Sequence, residues 1–415
     1  MRILFIGLNY APEEIGIGLY SAELCQALVE AGHEVQAVVA HPYYPRWATF
    51  PGYGGGYHVT VEGGVRVIRC PIYVPAHPTG LKRLVHHFSF AASALLPTLR
   101  AAFRFGPDLV FTVAPSLLSA PLASLVSRLT RARSWLHIQD LEVDASIATG
   151  LLPKGGVTER AGRWAERKIY GAFDRITTIS PEMVARVRER VRRPERIGEL
   201  RNWAALERIT PSESSGSSYR SEWNIRTPHV ALYSGNLGNK QGLEDVVEAA
   251  RLLRCRADLT FVICGEGPLR DRLEMLAADL PNIRFQKLQP TERLNELLGL
   301  ATVHLLPQKA DAADLVLPSK LTNMLASGKA VVAMAAPGTG LAREVQGCGL
   351  VVEPELPNAF AAAIERLVND TQLREEAGRA AQERAAARWS KAAILASALS
   401  QIQQGPFRLK SEPAF

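Results

Sequence analysis

Short apolar runs alternate along this chain with segments whose apolar positions recur at helical spacing. In the first half the runs are Arg2–Gly7, Glu34–Ala40, Val65–Cys70, Asp108–Val113, Ser134–Ile138 and Arg175–Ile179. Between them lie amphipathic segments such as Leu19–Ala31, Leu117–Leu129 and Glu159–Ala172. Strand–helix alternation with β-branched strands predicts a parallel sheet covered on both faces. The second half repeats the pattern at His229–Ser234, Leu259–Cys264, Ile283–Gln286, Val303–Leu306, Ala330–Ala335 and Gly349–Val352. Its predicted helices are Leu243–Leu253, Leu269–Leu276, Glu292–Leu298 and Ser319–Ala326, with more after Pro357. A last helix over Leu373–Ala398 passes through Trp389-Ser390, where a bend is expected.

The segment from Pro211 to Ser218 has no apolar residue, so it joins no core and reads as a loop or linker. The boundary is placed near Trp203–Arg226. This divides the chain into residues 1–205, 206–390 and a C-terminal helix and tail, 391–415, expected to pack back on the first domain. The predicted fold class is α/β, with two doubly wound, Rossmann-like parallel sheets facing a central cleft. Ligands of such sheets bind outside the carboxyl ends of the strands.

Composition narrows this only a little. A chain of 415 residues suits two domains. At 47% hydrophobic it has enough apolar residues for two cores. A net charge of +7 and a pI of about 9.2 fit an anionic ligand, an anionic membrane face or nucleic acid without choosing among them. The five cysteines show no metal spacing, and Cys25, Cys255 and Cys264 sit among apolar neighbours. Buried free thiols in a reducing cytoplasm are therefore expected. No charged, apolar, cleavable leader precedes Ile3, and no membrane span is expected.

Candidate chemistry begins at Leu317-Pro318-Ser319-Lys320-Leu321, which reads as a helix start. Pro318 fixes a first-turn backbone angle, Ser319 is a short polar cap, and Lys320 adds a cation beside unpaired amides. Such a place suits a phosphate or diphosphate. The plainer reading is a capped helix with a surface lysine.

Several other segments have two readings. Gly16-Ile17-Gly18 allows close approach of a phosphate or makes a tight turn. The full dinucleotide fingerprint is absent because Ser21 holds its last position, and no acidic residue ends the second strand, which argues against a dehydrogenase. Ser234-Gly235-Asn236-Leu237-Gly238-Asn239-Lys240-Gln241-Gly242 puts Lys240 near a helix start at a strand's carboxyl end. In Gly265-Glu266-Gly267-Pro268 the glycines keep the loop slim, and Glu266 bonds a ligand hydroxyl or faces the helix's positive end. Asp140, after His137-Ile138-Gln139, positions an acceptor hydroxyl or caps a turn. Asp144 reads as a helix cap and His137 as a core histidine. Asp311 and Asp314 flank an alanine-rich loop with no third ligand, so no metal site is read there.

Leu81–Phe105 is a long helical pattern in which Leu84, Phe88, Ala91, Leu95 and Leu99 recur, with basic residues near the ends. It reads as a core helix or as a surface for an anionic membrane. Arg186 to Arg193 adds charge without interleaved aromatics, which speaks against nucleic acid.

In order along the chain, Ala31-Gly32-His33-Glu34-Val35, Gly106-Pro107-Asp108-Leu109-Val110, Gly235 to Gly242, Gly265-Glu266-Gly267-Pro268 and Leu325-Ala326-Ser327-Gly328-Lys329 resemble the large retaining glycosyltransferase family with the GT-B fold, often called family 4. Gln139-Asp140-Leu141, Arg201-Asn202-Trp203 and Pro318-Ser319-Lys320-Leu321 resemble its WcaI-like branch. That branch is linked to bacterial exopolysaccharide assembly, colanic acid included, and its namesake is described as a fucosyltransferase.

The resemblance implies a nucleotide-sugar donor bound mainly by the second domain, a glycan or lipid-linked acceptor, no divalent metal and no cofactor. GDP-fucose is the donor the branch suggests. Lys240 matches the family lysine on the donor diphosphate. The family's arginine before it is Asn236 here, for which Lys320 compensates. The second glutamate of the family's E-x7-E pattern falls on Asn323 and the first on Leu315, with Asp314 one residue off. The expected donor contacts are thus Gly16, Gly18, Gly235, Asn236, Lys240, Gly265, Glu266, Asp314, Pro318, Ser319, Lys320, Leu321 and Asn323, and the expected catalytic residues are Lys240, Lys320 and Asp140. The expected location is the cytoplasm, peripheral on the inner membrane face, with no nucleic-acid partner. A GT-B epimerase and a non-catalytic nucleotide-sugar-binding protein are the rival readings.

Overall fold

Near-continuous apolar runs become strands buried on both faces. The computed structural model of the chain describes residues 1–13, 16–76, 78–148, 155–203, 206, 209–210, 217–239, 241–310 and 320–403. Two compact units divide them: Met1–Asn202 together with the described residues from Ile394 on, and Trp203–Ala393.

The first unit holds β1 (Arg2–Gly7), β2 (Glu34–Ala40), β3 (His58–Glu62), β4 (Val65–Cys70), β5 (Leu109–Ala114), β6 (Arg133–Ile138), β7 (Arg175–Thr178) and β8 (Ile197–Glu199). They form one sheet in the order β3-β4-β2-β1-β5-β6-β7-β8. All neighbouring pairs are parallel except β3 with β4, which corrects the expectation of a wholly parallel sheet. Gly63 and Gly64 both have positive φ, as a two-residue hairpin turn with the right twist requires, so β3 folds back on β4. Being an edge strand, β3 is mostly exposed and lacks the apolar run that marks its neighbours.

The second unit holds β9 (His229–Ser234), β10 (Leu259–Cys264), β11 (Ile283–Gln286), β12 (Val303–Leu306), β13 (Ala330–Met334) and β14 (Gly349–Val352). Their order is β11-β10-β9-β12-β13-β14, all parallel. Phe261, Val332, Phe360 and Ile364 belong to its core. The strand order reverses direction between β1 and β5 in one sheet and between β9 and β12 in the other. Those switch points are where doubly wound sheets open to ligands.

Ser390, in extended conformation, breaks the last helical pattern into Thr371–Trp389 and Lys391–Gln403. The second of these is tied to β7 by a 2.9 Å hydrogen bond from Arg175 Nη2 to Gln401 Oε1.

The helix Gly80–Arg104 is a core helix on one side and exposed on the other. His86, Phe90, Ala94, Pro97 and Ala101 face the core. The stripe seen in the sequence points outward, with Leu84 59%, Phe88 65% and Leu95 41% exposed. No described helix is long and apolar enough to cross a membrane. Cys25, Cys70, Cys264 and Cys348 are buried free thiols, but Cys255 is exposed, against expectation, because it follows the end of the helix Leu243–Leu252.

Candidate functional site

Two glycine turns leave the carboxyl ends of β9 and β10 and lie backbone against backbone. Gly235 N donates to Cys264 O at 2.9 Å, Leu237 N to Glu266 O at 2.9 Å, and Leu269 N to Leu237 O at 3.1 Å. A Cβ on Gly265 would fall on the Gly235 carbonyl, and one on Gly267 would meet Leu237 O at 2.5 Å. Both positions are therefore glycine because another backbone occupies the space. Arg270 secures the turn from below, its Nη1 donating to Gly265 O at 2.8 Å and Gln286 O at 3.0 Å.

Lys320, first residue of the helix Lys320–Ala326, reaches across this pair of turns. Its Nζ donates to Tyr233 Oη at 2.8 Å and lies 4.0 Å from the Tyr233 ring centroid. A Cβ on Gly235 would sit 3.6 Å from that Nζ. Tyr233 Oη in turn donates to Asn236 O at 2.6 Å. Gly235, Asn236, Gly265 and Lys320 therefore lie together at the carboxyl ends of β9 and β10. The lysine keeps part of its stem exposed, but burial of its ammonium lowers the pKa to about 7. Desolvation disfavours a cation that has, among the described residues, only a phenol oxygen and a π face beside it.

The remaining predicted donor residues separate. Glu266 is exposed and lies 3.4 Å from Arg270 Nη1, a side-chain ion pair at the start of the helix Arg270–Leu276. Leu321 is fully buried in a core cluster with Leu325 and Val331, so its side chain does not face a ligand. Asn323 is half-buried on the same helix. Lys240, Asp311, Asp314, Pro318 and Ser319 lie outside the described residues.

In the first unit Gly16 is exposed, has φ +71° and precedes the helix Ile17–Glu30. Gly18 is buried, and a Cβ there would collide with Glu13 at 2.8 Å, so its glycine has a packing reason. Glu13, which sequence reading missed, accepts from Tyr43 N and Tyr44 N at 3.0 Å and from Asn9 Nδ2 at 2.9 Å. Burial raises its pKa against those three bonds.

Asp140 follows β6, half-buried, and its charge reaches Tyr44 and Glu142. Glu142 accepts from Ser116 N at 2.8 Å and Leu117 N at 2.7 Å, while burial first, and then Asp140, push its pKa up to about 7. Next to Asp140, Gln139 and Asn202 exchange two amide hydrogen bonds of 2.8 Å across 63 positions of sequence. Gln139 Nε2 also lies 3.0 Å from His137 Nε2. With that amide donating, His137 carries its proton on Nδ1 and gives it to Thr177 Oγ1 at 3.0 Å. Burial lowers its pKa to about 4, so it is the neutral core histidine the sequence suggested.

Asp144 is not a cap. It lies within the helix Glu142–Ala148 and pairs with Arg163 at 2.8 Å and Arg190 at 2.6 Å. Arg190 also lies 3.3 Å from buried Glu166, so one arginine of the basic run at 186–193 is spent inside the fold. Among the described residues no group of three His, Cys, Asp or Glu side chains is placed to hold a metal.

Residues 16–203 match the Glycosyl transferase 4-like domain, and residues 217–384 match Glycosyl transferases group 1. WcaI of Escherichia coli (strain K12), named as a colanic acid biosynthesis glycosyl transferase, is 40% identical over 392 residues, covering 91% of this chain and 96% of that protein. Among solved structures, a sucrose-phosphate synthase from Thermosynechococcus elongatus aligns with TM-score 0.74 and 19% identity over 97% of this chain and 98% of that one. HepE of Anabaena, in complex with UDP, aligns with TM-score 0.72 and 15% identity over 98% of this chain and 100% of that one. This chain therefore belongs to the family-4 glycosyltransferases, in their WcaI-like branch, and has the GT-B fold.

Proposed function

We propose that this glycosyltransferase moves a sugar, with retention of anomeric configuration, from a nucleoside-diphosphate sugar to a glycan or lipid-linked glycan acceptor of bacterial exopolysaccharide synthesis. The observation that carries the reading is Lys320, an enclosed ammonium held over a glycine turn at a sheet's switch point by a phenol and no carboxylate among the described residues. The similarity to WcaI supports the exopolysaccharide setting. GDP-fucose is the donor implied by the branch.

The bond from the sugar's anomeric carbon to the phosphate oxygen breaks, and the diphosphate leaves with the electron pair. The acceptor oxygen forms its bond on the same face, and its proton passes to the leaving phosphate oxygen. Lys320 and Lys240 stabilise charge that exists more fully in the transition state than in the ground state. Asp140, in the first unit, orients the acceptor hydroxyl and need not be the base. No metal is required in this scheme.

A thermal-shift panel of GDP, UDP, ADP and their sugar conjugates, run with and without EDTA, tests the reading. One base is expected to raise the melting temperature selectively, and EDTA to leave the shift intact. Failure of every nucleotide to stabilise the protein would contradict it.

We also assign the exposed stripe of Gly80–Arg104 to the anionic inner face of the membrane, the source of a lipid-linked acceptor. Leu81, Leu84, Phe88 and Phe103 are exposed, and Lys82, Arg83, Arg100 and Arg104 lie on the same helix. Sedimentation with anionic liposomes, lost in a Leu84→Ser/Phe88→Ser variant and weak with neutral lipid, is the expected result. A chain that stays in the supernatant with both lipids would end this assignment.

A further inference from the structure

Tyr233 is absent from the site predicted by sequence, where it reads only as an apolar residue near the end of β9. Its hydroxyl has one proton, and that proton goes to the Asn236 carbonyl at 2.6 Å. The oxygen is then left as an acceptor, and Lys320 Nζ donates to it at 2.8 Å while resting 4.0 Å from the ring centroid. A single side chain thus ties the glycine turn after β9 to the start of the helix Lys320–Ala326, 87 positions away.

We propose that Tyr233 is a positioning residue for the transfer reaction, holding the Lys320 ammonium over the glycine turn with N–H groups left to donate to a donor diphosphate oxygen. The proposal rests on the reading of Lys320 as a donor-site cation.

The choice of partner is what makes the arrangement suitable. A carboxylate in place of the phenol would pair with the ammonium, and a diphosphate would then have to break an ion pair. A phenol oxygen and an aromatic face hold the ammonium without neutralising it. They also leave it poorly solvated, and burial lowers its pKa to about 7. Among the described residues, the groups around it add no charge of their own. Tyr233 is neutral, its pKa pushed up by burial. Asn236 and Asn323 are uncharged, and Glu266 in the adjoining turn lies against Arg270.

A bound diphosphate raises the lysine's pKa again. The contribution of the charged lysine to binding is complete below pH 7 and declines as pH rises above it, until the pKa of the bound state is passed. Binding above pH 7 therefore takes up a proton.

Titration calorimetry of GDP and UDP into the full chain, from pH 6 to 9 and in two buffers of different ionisation enthalpy, measures affinity and proton uptake together. At pH 8 the parent protein is expected to take up a proton with the diphosphate it prefers, and Lys320→Gln to take up none. Tyr233→Phe keeps the ring and is expected to melt near the parent temperature. It is expected to bind about tenfold more weakly, having lost one hydrogen bond to a charged group, with the decline in affinity starting at lower pH. If Tyr233→Phe matches the parent in both affinity and pH profile, Tyr233 merely packs, and the proposal is overturned while the donor-site reading stands. If Lys320→Gln matches the parent in affinity and proton count, or if the parent binds neither diphosphate, the donor-site reading fails and this proposal with it.

Discussion

Lys320→Met is expected to lower kcat by about a hundredfold or more, typical of removing one transition-state charge contact, without lowering the melting temperature. The two halves of that expectation have one cause. The ammonium is desolvated, its pKa lowered to about 7 by burial, and its partners among the described residues are a phenol oxygen and a ring. Methionine has a similar stem and no charge to desolvate, so the folded state keeps its packing and loses a strained cation. A lysine kept for stability would show the reverse pattern. Steady-state rates at saturating donor, with circular dichroism melts of the same samples, separate the cases. A variant that melts several degrees lower and retains near-normal kcat would assign Lys320 to structure.

Lys240→Ala is expected to cost about as much, again a hundredfold or more in turnover. The residue itself lies outside the described part of the chain, so the expectation comes from its place in the turn from Gly235 to Gly242. The described residues on either side are well held. Leu237 N is bonded to Glu266 O, Gln241 N to Gly238 O at 3.2 Å, and Gly242, with φ +58°, starts the helix Leu243–Leu252. Near-normal turnover by this variant at saturating donor would remove Lys240 from the mechanism. The double variant with Lys320→Met is expected to lose less than the product of the two single losses, because both lysines serve one leaving diphosphate. Fully multiplicative losses would mean that they act on separate groups.

The fold was largely legible because parallel strands buried on both faces leave continuous apolar runs, and β9 to β12 matched their sequence ranges. β3 was not, because an edge strand with one exposed face has little apolar pattern to read. The helix Gly80–Arg104 was legible as a helix, but its apolar periodicity does not mark its buried side. Large residues such as Leu84 and Phe88 dominate its periodicity but point outward, while the buried side is built largely from small residues such as Ala94 and Ala101. The glycine turns were legible as residue types, but the reason for Gly265 is a carbonyl on another turn, 30 positions earlier in sequence. Gln139 and Asn202 each stand in a legible motif, and only the folded chain makes them partners. Tyr233 had no signal at all, since a buried tyrosine in a strand looks like any other core residue until the lysine it holds is placed beside it.

Acylation of lysines by a small reagent, followed by mass spectrometry with and without the preferred nucleoside diphosphate, tests the central claim most directly. The account predicts that Lys320 and Lys240 lose reactivity when the nucleotide is bound, while Lys82 and Lys168 in the first unit keep theirs. Saturating nucleotide that leaves Lys320 and Lys240 as reactive as before would contradict it.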